Sequence, residues 1–182
     1  MLIVGDNLKA LIEQYSIIKN TSNGDVGFDD NCIKLTLDNK VVAIEPDSGH
    51  NTLYYQQDIP NELIHEYLLD SNGLTLQPKS SILACSREEI FIPNGYMGFI
   101  QTTGSLARYF VSAHFSDGQI DSGYEGKVTF ELFNGSNFDI VFQAGQPIAN
   151  LYILKTSTQC KNTYHGRYQH AKKPTIFKSS IK

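Results

Sequence analysis

Thr103-Gly-Ser-Leu-Ala-Arg-Tyr-Phe110, Gly118-Gln-Ile-Asp-Ser-Gly-Tyr-Glu-Gly126 and Lys127-Val-Thr-Phe-Glu-Leu-Phe133 lie within one short run. No other part of the chain carries such a density of site-type residues. In the last segment a period of two puts Val128, Phe130 and Leu132 on one face and Lys127, Thr129, Glu131 and Phe133 on the other, which is the signature of a half-buried strand. Glu131 is then either a solvated strand carboxylate or, if shielded and near an arginine, a group that manages protons for an attacking water. Gly104 and Ser105 precede Leu-Ala-Arg108, so the chain turns there into a short helix whose first amides lack intrahelical partners. Ser105 reads either as the N-cap or as part of an anion site on those amides.

Upstream, Leu74 to Pro93 reads as a strand, a turn at Pro78, and two further strands. Downstream, Phe138 to Phe142 is a strand, Gln143-Ala-Gly-Gln-Pro147 a turn, and Ile148 to Leu154 another strand. Near the N-terminus Asp6 is expected to cap a helix with Leu8, Leu11, Ile12 and Tyr15 at amphipathic spacing. Thr21 to Asp30 is a polar loop, Cys32 to Leu37 a strand, Asp38-Asn-Lys a turn and Val41 to Ile44 a strand. Glu45 to Gln57 is irregular. Pro60 and Asn61 are expected to open a second helix with Leu63, Ile64, Tyr67 and Leu68 on one face, closed at Ser71-Asn-Gly73. Periodicity alone supports a β-sandwich or barrel with helical additions.

With 182 residues the chain has the length of a single domain that buries a core without staples. A formal charge of −4 does not suit a general nucleic-acid surface. No apolar run is long enough for a signal h-region or a membrane span, so a cytoplasmic protein is expected. The three cysteines, Cys32, Cys85 and Cys160, are too far apart for a zinc ligand pattern and odd in number. His65 beside Glu66 does not reproduce the His-x-Glu and Pro-Cys-x-x-Cys pattern of zinc deaminases and reads as a solvated helical histidine.

Taken together, Ser105-Leu-Ala-Arg108, Gly118-x-Ile-Asp121-x-x-Tyr124-x-Gly126 and Thr129-Phe-Glu131-Leu resemble the phosphate, sugar and catalytic motifs of the dCTP deaminase family within the dCTP deaminase and dUTPase superfamily. Phe28 to Leu35 resembles a diverged first motif, with Asp29 or Asp30 as its acidic residue unless the aspartates form an Asx-turn. Gln143 to Leu154 resembles the fourth motif. Tyr164-His-Gly-Arg-Tyr-Gln-His-Ala-Lys-Lys-Pro-Thr175 resembles the tail that folds over bound nucleotide, so residues 160–182 are expected to close the site. Lys172 and Lys173 read equally as a basic soluble tail.

The resemblance implies a mainly β, distorted jelly-roll or β-barrel subunit of dUTPase-like fold with a few short helices, in a homotrimer with sites between subunits. It implies hydrolytic deamination of dCTP to dUTP and ammonia without zinc, with Mg²⁺ accompanying the triphosphate. Glu131 would move protons and Arg108 would orient it. Ser105 would meet the nucleotide at its phosphate end, together with Tyr164, Arg167 and Gln169 of the tail, while Gly104 takes the place of a serine that lies close to the reacting base, with Thr103 or an ordered water as its substitute. Asp121 and Tyr124 would hold deoxyribose, Asp117 and Gln119 would lie on the base side, and His114 would belong to the surrounding hydrogen-bond shell.

Five residues depart from the family pattern. Gly104 stands where a serine is usual, Asp117 where a small residue is usual, Arg167 where a lysine is usual, and His170-Ala171 where Gly-Gln is usual. The alternatives are a dUTPase or a bifunctional enzyme giving dUMP and diphosphate, and a nucleotide-binding regulator without turnover.

Overall fold

Thirteen-residue strand β2 (Cys32–Ile44) organises the architecture, because its two halves belong to different sheets. The computed structural model describes residues 1–20 and 27–179. The first half of β2 pairs with β1 (Gly27–Asp29) and β11 (Pro147–Lys155), and β11 continues to β6 (Tyr96–Thr102) and β8 (Gln119–Ile120). The second half pairs with β3 (Ile64–Leu68) and β5 (Ser81–Phe91), and β5 continues to β9 (Glu125–Asn134) and β7 (Val111–Ser112). A separate ribbon joins β4 (Leu74–Leu76) to β10 (Ile140–Phe142). The result is a curled, mainly β structure of the distorted jelly-roll type, in which a strand that changes sheets turns the corner.

The corner lies at Asp38-Asn39-Lys40, expected to be a turn. It is instead a register shift inside β2, between Leu37 and Val41. A second shift between Cys85 and Glu89 bends β5, which is one strand where two were expected. The buried Glu88 carboxylate ties the two bends together, accepting from the Thr36 amide at 2.8 Å and the Thr36 hydroxyl at 2.6 Å. The core between the sheets includes Ile33, Leu35, Leu37, Ile90, Phe130, Leu132 and Leu151, each fully buried. Each side chain of this size contributes about 1.5–3 kcal/mol by leaving water.

Helix α1 (Gly5–Tyr15) packs on this core through Leu8 and Leu11, as the amphipathic spacing requires. Its N-cap is Val4 rather than Asp6, which sits in the first turn, where a carboxylate still meets the positive end of the helix dipole. The second expected helix is not formed. Asn61–Leu63 is one 3-10 turn, and Ile64–Leu68 continues as strand β3. The free edge of β2 at Lys40–Ile44 accepts that segment as a ladder, and tertiary pairing outweighs a helical spacing so short. His65 therefore lies on a strand opposite Ala43, half-buried, and not on a solvated helix. Residues 45–57 are irregular as expected; of the expected 21–30 loop, residues 21–26 lie outside the described residues, and Gly27–Asp29 is strand β1, drawn into a ladder by β2.

Candidate active site

Strand β9 alternates as its sequence requires, with Val128, Phe130 and Leu132 buried and Lys127, Thr129, Glu131 and Phe133 intermediate. The second face is not open to solvent, because each polar residue on it has its own roof. Lys127 pairs with Asp38, Thr129 meets the Thr175 hydroxyl at 3.0 Å, and Glu131 is held by the loop that follows β7. That grip is threefold. The Glu131 amide donates to the Ala113 carbonyl at 3.0 Å, the Phe115 amide donates to the Glu131 carbonyl at 3.4 Å, and the Ser116 amide donates to Glu131 Oε2 at 3.0 Å. The Ser116 hydroxyl adds a longer contact to the same oxygen at 3.4 Å. His114 lies within this grip, bridged to Glu131 through the backbone.

Glu131 lines a cavity of about 320 Å³ together with Asp117, Gln119, Asp121, Tyr124 and Tyr164. All but Tyr164, expected with the tail at the phosphate end, are residues expected at the base and sugar side, and the structure brings them together. Tyr124 is 9% exposed and donates its hydroxyl to the Lys127 carbonyl at 2.5 Å. Burial pushes its phenol above the ordinary range, so the ring serves as a fixed neutral wall. Tyr164 meets it edge-on at 5.7 Å between ring centroids. Thr129, Thr175, Leu83 and Ser116 were missed by sequence reasoning. Thr129, two residues before Glu131, could have been found from the period of two; Ser116, Leu83 and Thr175 are set by tertiary contacts.

The described tail reaches this cavity by lying along β9. Gln169 donates to the Gly123 carbonyl at 2.9 Å and accepts from the Glu125 amide at 3.1 Å. It does not line the cavity with Glu131, and its amide is engaged in docking the tail. At Gly126, φ is +145°, and a Cβ would stand 2.7 Å from the Ala171 amide nitrogen, so glycine lets the tail approach. Arg167 is likewise outside that cavity. It stacks on Phe177, with 4.6 Å from guanidinium carbon to ring centroid, donates to the Lys178 carbonyl at 2.6 Å, and borders a neighbouring cavity of about 440 Å³. Tyr168 and Thr175 are shared by both cavities.

Thr103, Gly104, Ser105 and Arg108 border a different cavity, of about 750 Å³, with Lys34, Gln146 and Asn150. Helix α2 (Gly104–Ala107) is a single turn, and its N-cap is Thr103, not Ser105; the Thr103 hydroxyl accepts from the Leu106 amide at 3.4 Å. The Ser105 side chain is thereby left out of the cap. Arg108 curls back on its own helix, donating to the Gly104 carbonyl at 2.6 Å. Within one chain, then, the structure does not bring Arg108 to Glu131 as expected. The phosphate-type residues and the carboxylate occupy separate cavities.

Among the described residues no helix is long and apolar enough to cross a membrane. A family model described as dCTP deaminase-like matches residues 2–156. A Persephonella marina protein named "dCTP deaminase, dUMP-forming" is 32% identical over 142 residues, which cover 70% of this chain and 78% of that one. A Thermococcus kodakarensis protein named dCTP deaminase is 33% identical over 103 residues, 57% of this chain and 65% of the relative. The crystal structure of 2'-deoxycytidine 5'-triphosphate deaminase from Agrobacterium tumefaciens matches with a TM-score of 0.64 at 17% identity, over 84% of this chain and 46% of that one, a likeness of fold. The folded frame, the ordered motifs and the family match over residues 2–156 lead to one assignment: the chain belongs to the dCTP deaminase-like family.

Proposed function

We propose that the protein deaminates dCTP to dUTP and ammonia, with Glu131 as the proton-handling group. The observation that carries this reading is the Glu131 carboxylate, fixed by Ser116 through one oxygen and bordering a cavity with Asp121 and Tyr124. Anchoring Oε2 leaves Oε1 to take a proton from water. The hydroxide attacks C4 of the cytosine, and the proton returns to the amino group, which departs as ammonia. Asp121 and the rigid Tyr124 ring hold the deoxyribose. Mg²⁺ arrives on the triphosphate as part of the substrate.

The separate cavity bearing Ser105 and Arg108 supports a site made from two copies of the chain. One copy grips the phosphates and brings Arg108 to Glu131 of its neighbour, as in a homotrimer. The tail closes over the base side through Tyr164, and Arg167 meets the phosphates from the adjoining cavity.

A second reading, in which diphosphate is also released to give dUMP, is favoured by the name of the P. marina relative. Asp121, whose carboxylate has no hydrogen-bond partner among the described residues, would then position a water for phosphorus. A panel of nucleotides assayed for ammonia and diphosphate tests both. Ammonia with dUTP supports the first reading, ammonia with dUMP and diphosphate the second, and diphosphate from dUTP alone indicates a dUTPase. Tight nucleotide binding without product would leave a regulator.

A further inference from the structure

The cavity that holds Ser105 and Arg108 is bordered by a second cation that the deamination chemistry does not use. Lys34 reaches it from β2, where Ile33, Leu35 and Leu37 turn into the core and Lys34 falls on the opposite face. The ladder sets Lys34 directly opposite Asn150 of β11, which borders the same cavity. On the other side β1 comes so close at Gly27 that a Cβ there would stand 2.9 Å from the Lys34 Cβ, and glycine leaves the lysine stem its room. The ammonium is thus carried by a strand paired on both sides. Among the described residues its nearest carboxylate is that of Asp29 at 4.0 Å, with the two side chains 44% and 48% exposed, and an ion pair so long and so wet contributes little. Two cations, Lys34 and Arg108, face one carboxylate, Asp139, around this cavity. Arg108 is the group assigned to Glu131 of the neighbouring copy, which leaves Lys34 as the positive charge that shares the cavity with Ser105.

We infer that Lys34 is a polyphosphate-binding residue, its ammonium pairing with the phosphates of the ligand in the cavity of Ser105. This rests on the proposed deaminase reading only for which nucleoside carries those phosphates. A lysine meets phosphate as a compact point charge with three donors and no fixed fork, which suits a chain of phosphates whose oxygens can turn toward it. The attraction grows with the number of charges it faces, so a polyphosphate gains from Lys34 what a neutral nucleoside does not. Division of labour follows from the two cations. Lys34 holds charge that is the same before and after reaction, and Arg108 is left to the carboxylate that handles protons. Lys34 therefore belongs to binding, and its loss should appear in KM and not in kcat.

The test is Lys34→Gln, which removes the charge and keeps most of the stem, with Lys34→Arg as the conservative variant. Ammonia release from dCTP with Mg²⁺ is followed with inorganic tripolyphosphate as competitor, at low and at high KCl. In Lys34→Gln the KM of dCTP and the inhibition constant of tripolyphosphate should each rise about tenfold, the lower end for a charged hydrogen bond at a half-exposed site, with kcat within about threefold of the wild type. Salt should weaken dCTP less steeply in Lys34→Gln than in the wild type, because one screened pair is gone. Lys34→Arg should keep both constants within about threefold of the wild type. Unchanged constants in Lys34→Gln, an unchanged salt dependence, or a wild type that tripolyphosphate does not inhibit would each overturn the assignment. If the wild type releases no ammonia, the deaminase reading fails, and Lys34 is judged by calorimetric binding of tripolyphosphate. Weaker binding in Lys34→Gln with retention in Lys34→Arg upholds its role; equal affinities, or no binding by the wild type, overturn it.

Discussion

Gln169 is joined to Glu125 across the gap between the tail and β9, its Oε1 accepting from the Glu125 amide at 3.1 Å while its Nε2 donates to the Gly123 carbonyl at 2.9 Å. Backbone bonds lie beside it. The His170 amide donates to the Glu125 carbonyl at 2.6 Å and the Lys127 amide to the Ala171 carbonyl at 2.8 Å, so the side chain extends a short ladder between tail and strand.

Removing that link should release the tail without unfolding the sheets. Gln169→Ala loses two hydrogen bonds, each contributing about 1 kcal/mol, and the KM for nucleotide should rise by about tenfold with a smaller change in kcat. Gly126→Ala should act in the same direction, because its Cβ collides with the Ala171 amide. Limited proteolysis reads the outcome. Tryptic cleavage after Lys172 should accelerate in both variants, and an unchanged cleavage rate would show that the tail is held by other contacts.

Glu131→Gln should reduce deamination by on the order of 10²–10⁴-fold and leave nucleotide affinity largely intact. Unchanged turnover would remove Glu131 from the mechanism.

The separation of Arg108 from Glu131 leads to a complementation experiment. Arg108→Ala and Glu131→Gln should each be inactive alone. If a site joins Arg108 of one copy to Glu131 of another, co-expressed mixed trimers contain intact sites in about a quarter of positions by random assortment. Recovered ammonia release supports a shared site, and continued inactivity in verified mixed trimers would confine both residues to one chain.

Asp38 and Lys127 form an ion pair at the corner of β2, with side chains only 14% and 13% exposed. Burial pushes the Asp38 carboxyl up, but the Lys127 ammonium and the Asn39 amide together outweigh it and hold the carboxyl below its ordinary range. A depressed carboxyl contributes stability that is fully present above its unfolded value, near pH 4, and is lost as pH falls through the folded value. Asp38→Asn leaves Lys127 largely buried without its counter-charge and should cost about 2 kcal/mol in urea unfolding at pH 7. Below about pH 4 the wild type should lose that advantage and the two curves should converge.

Thiol reactivity follows burial. Burial and the nearby Asp38 carboxylate push the Cys85 thiol up to about 12, Cys32 is also raised by burial and by Asp29, and Cys160 is exposed. A thiol reagent at pH 8 should modify Cys160 rapidly and reach Cys85 and Cys32 only on denaturation. Rapid native modification of Cys85 would contradict its packing.

Much of the site was legible in order and spacing. The period of two in Lys127 to Phe133 placed Glu131 on the face away from the core, and the Gly118 to Gly126 motif pointed to Asp121 and Tyr124, which do line its cavity. Errors arose where a local pattern competed with a partner distant in the chain. Leu63, Ile64, Tyr67 and Leu68 have helical spacing, yet the open edge of β2 draws Ile64–Leu68 into a ladder. Asp38-Asn-Lys has turn chemistry, yet Lys127 and the pairing on either side keep it within a strand.

Sequence alone determined the β-rich class, the buried face of each long strand and the family, because side-chain alternation and motif spacing are properties of neighbours in the chain. Tertiary structure decided which groups meet: Ser116 with Glu131, Gln169 with Glu125, Asp38 with Lys127, and Arg108 apart from all of them. Those relations depend on bulges, on strand edges open to pairing and on the course of the tail, each settled by long-range hydrogen bonds that no local pattern encodes.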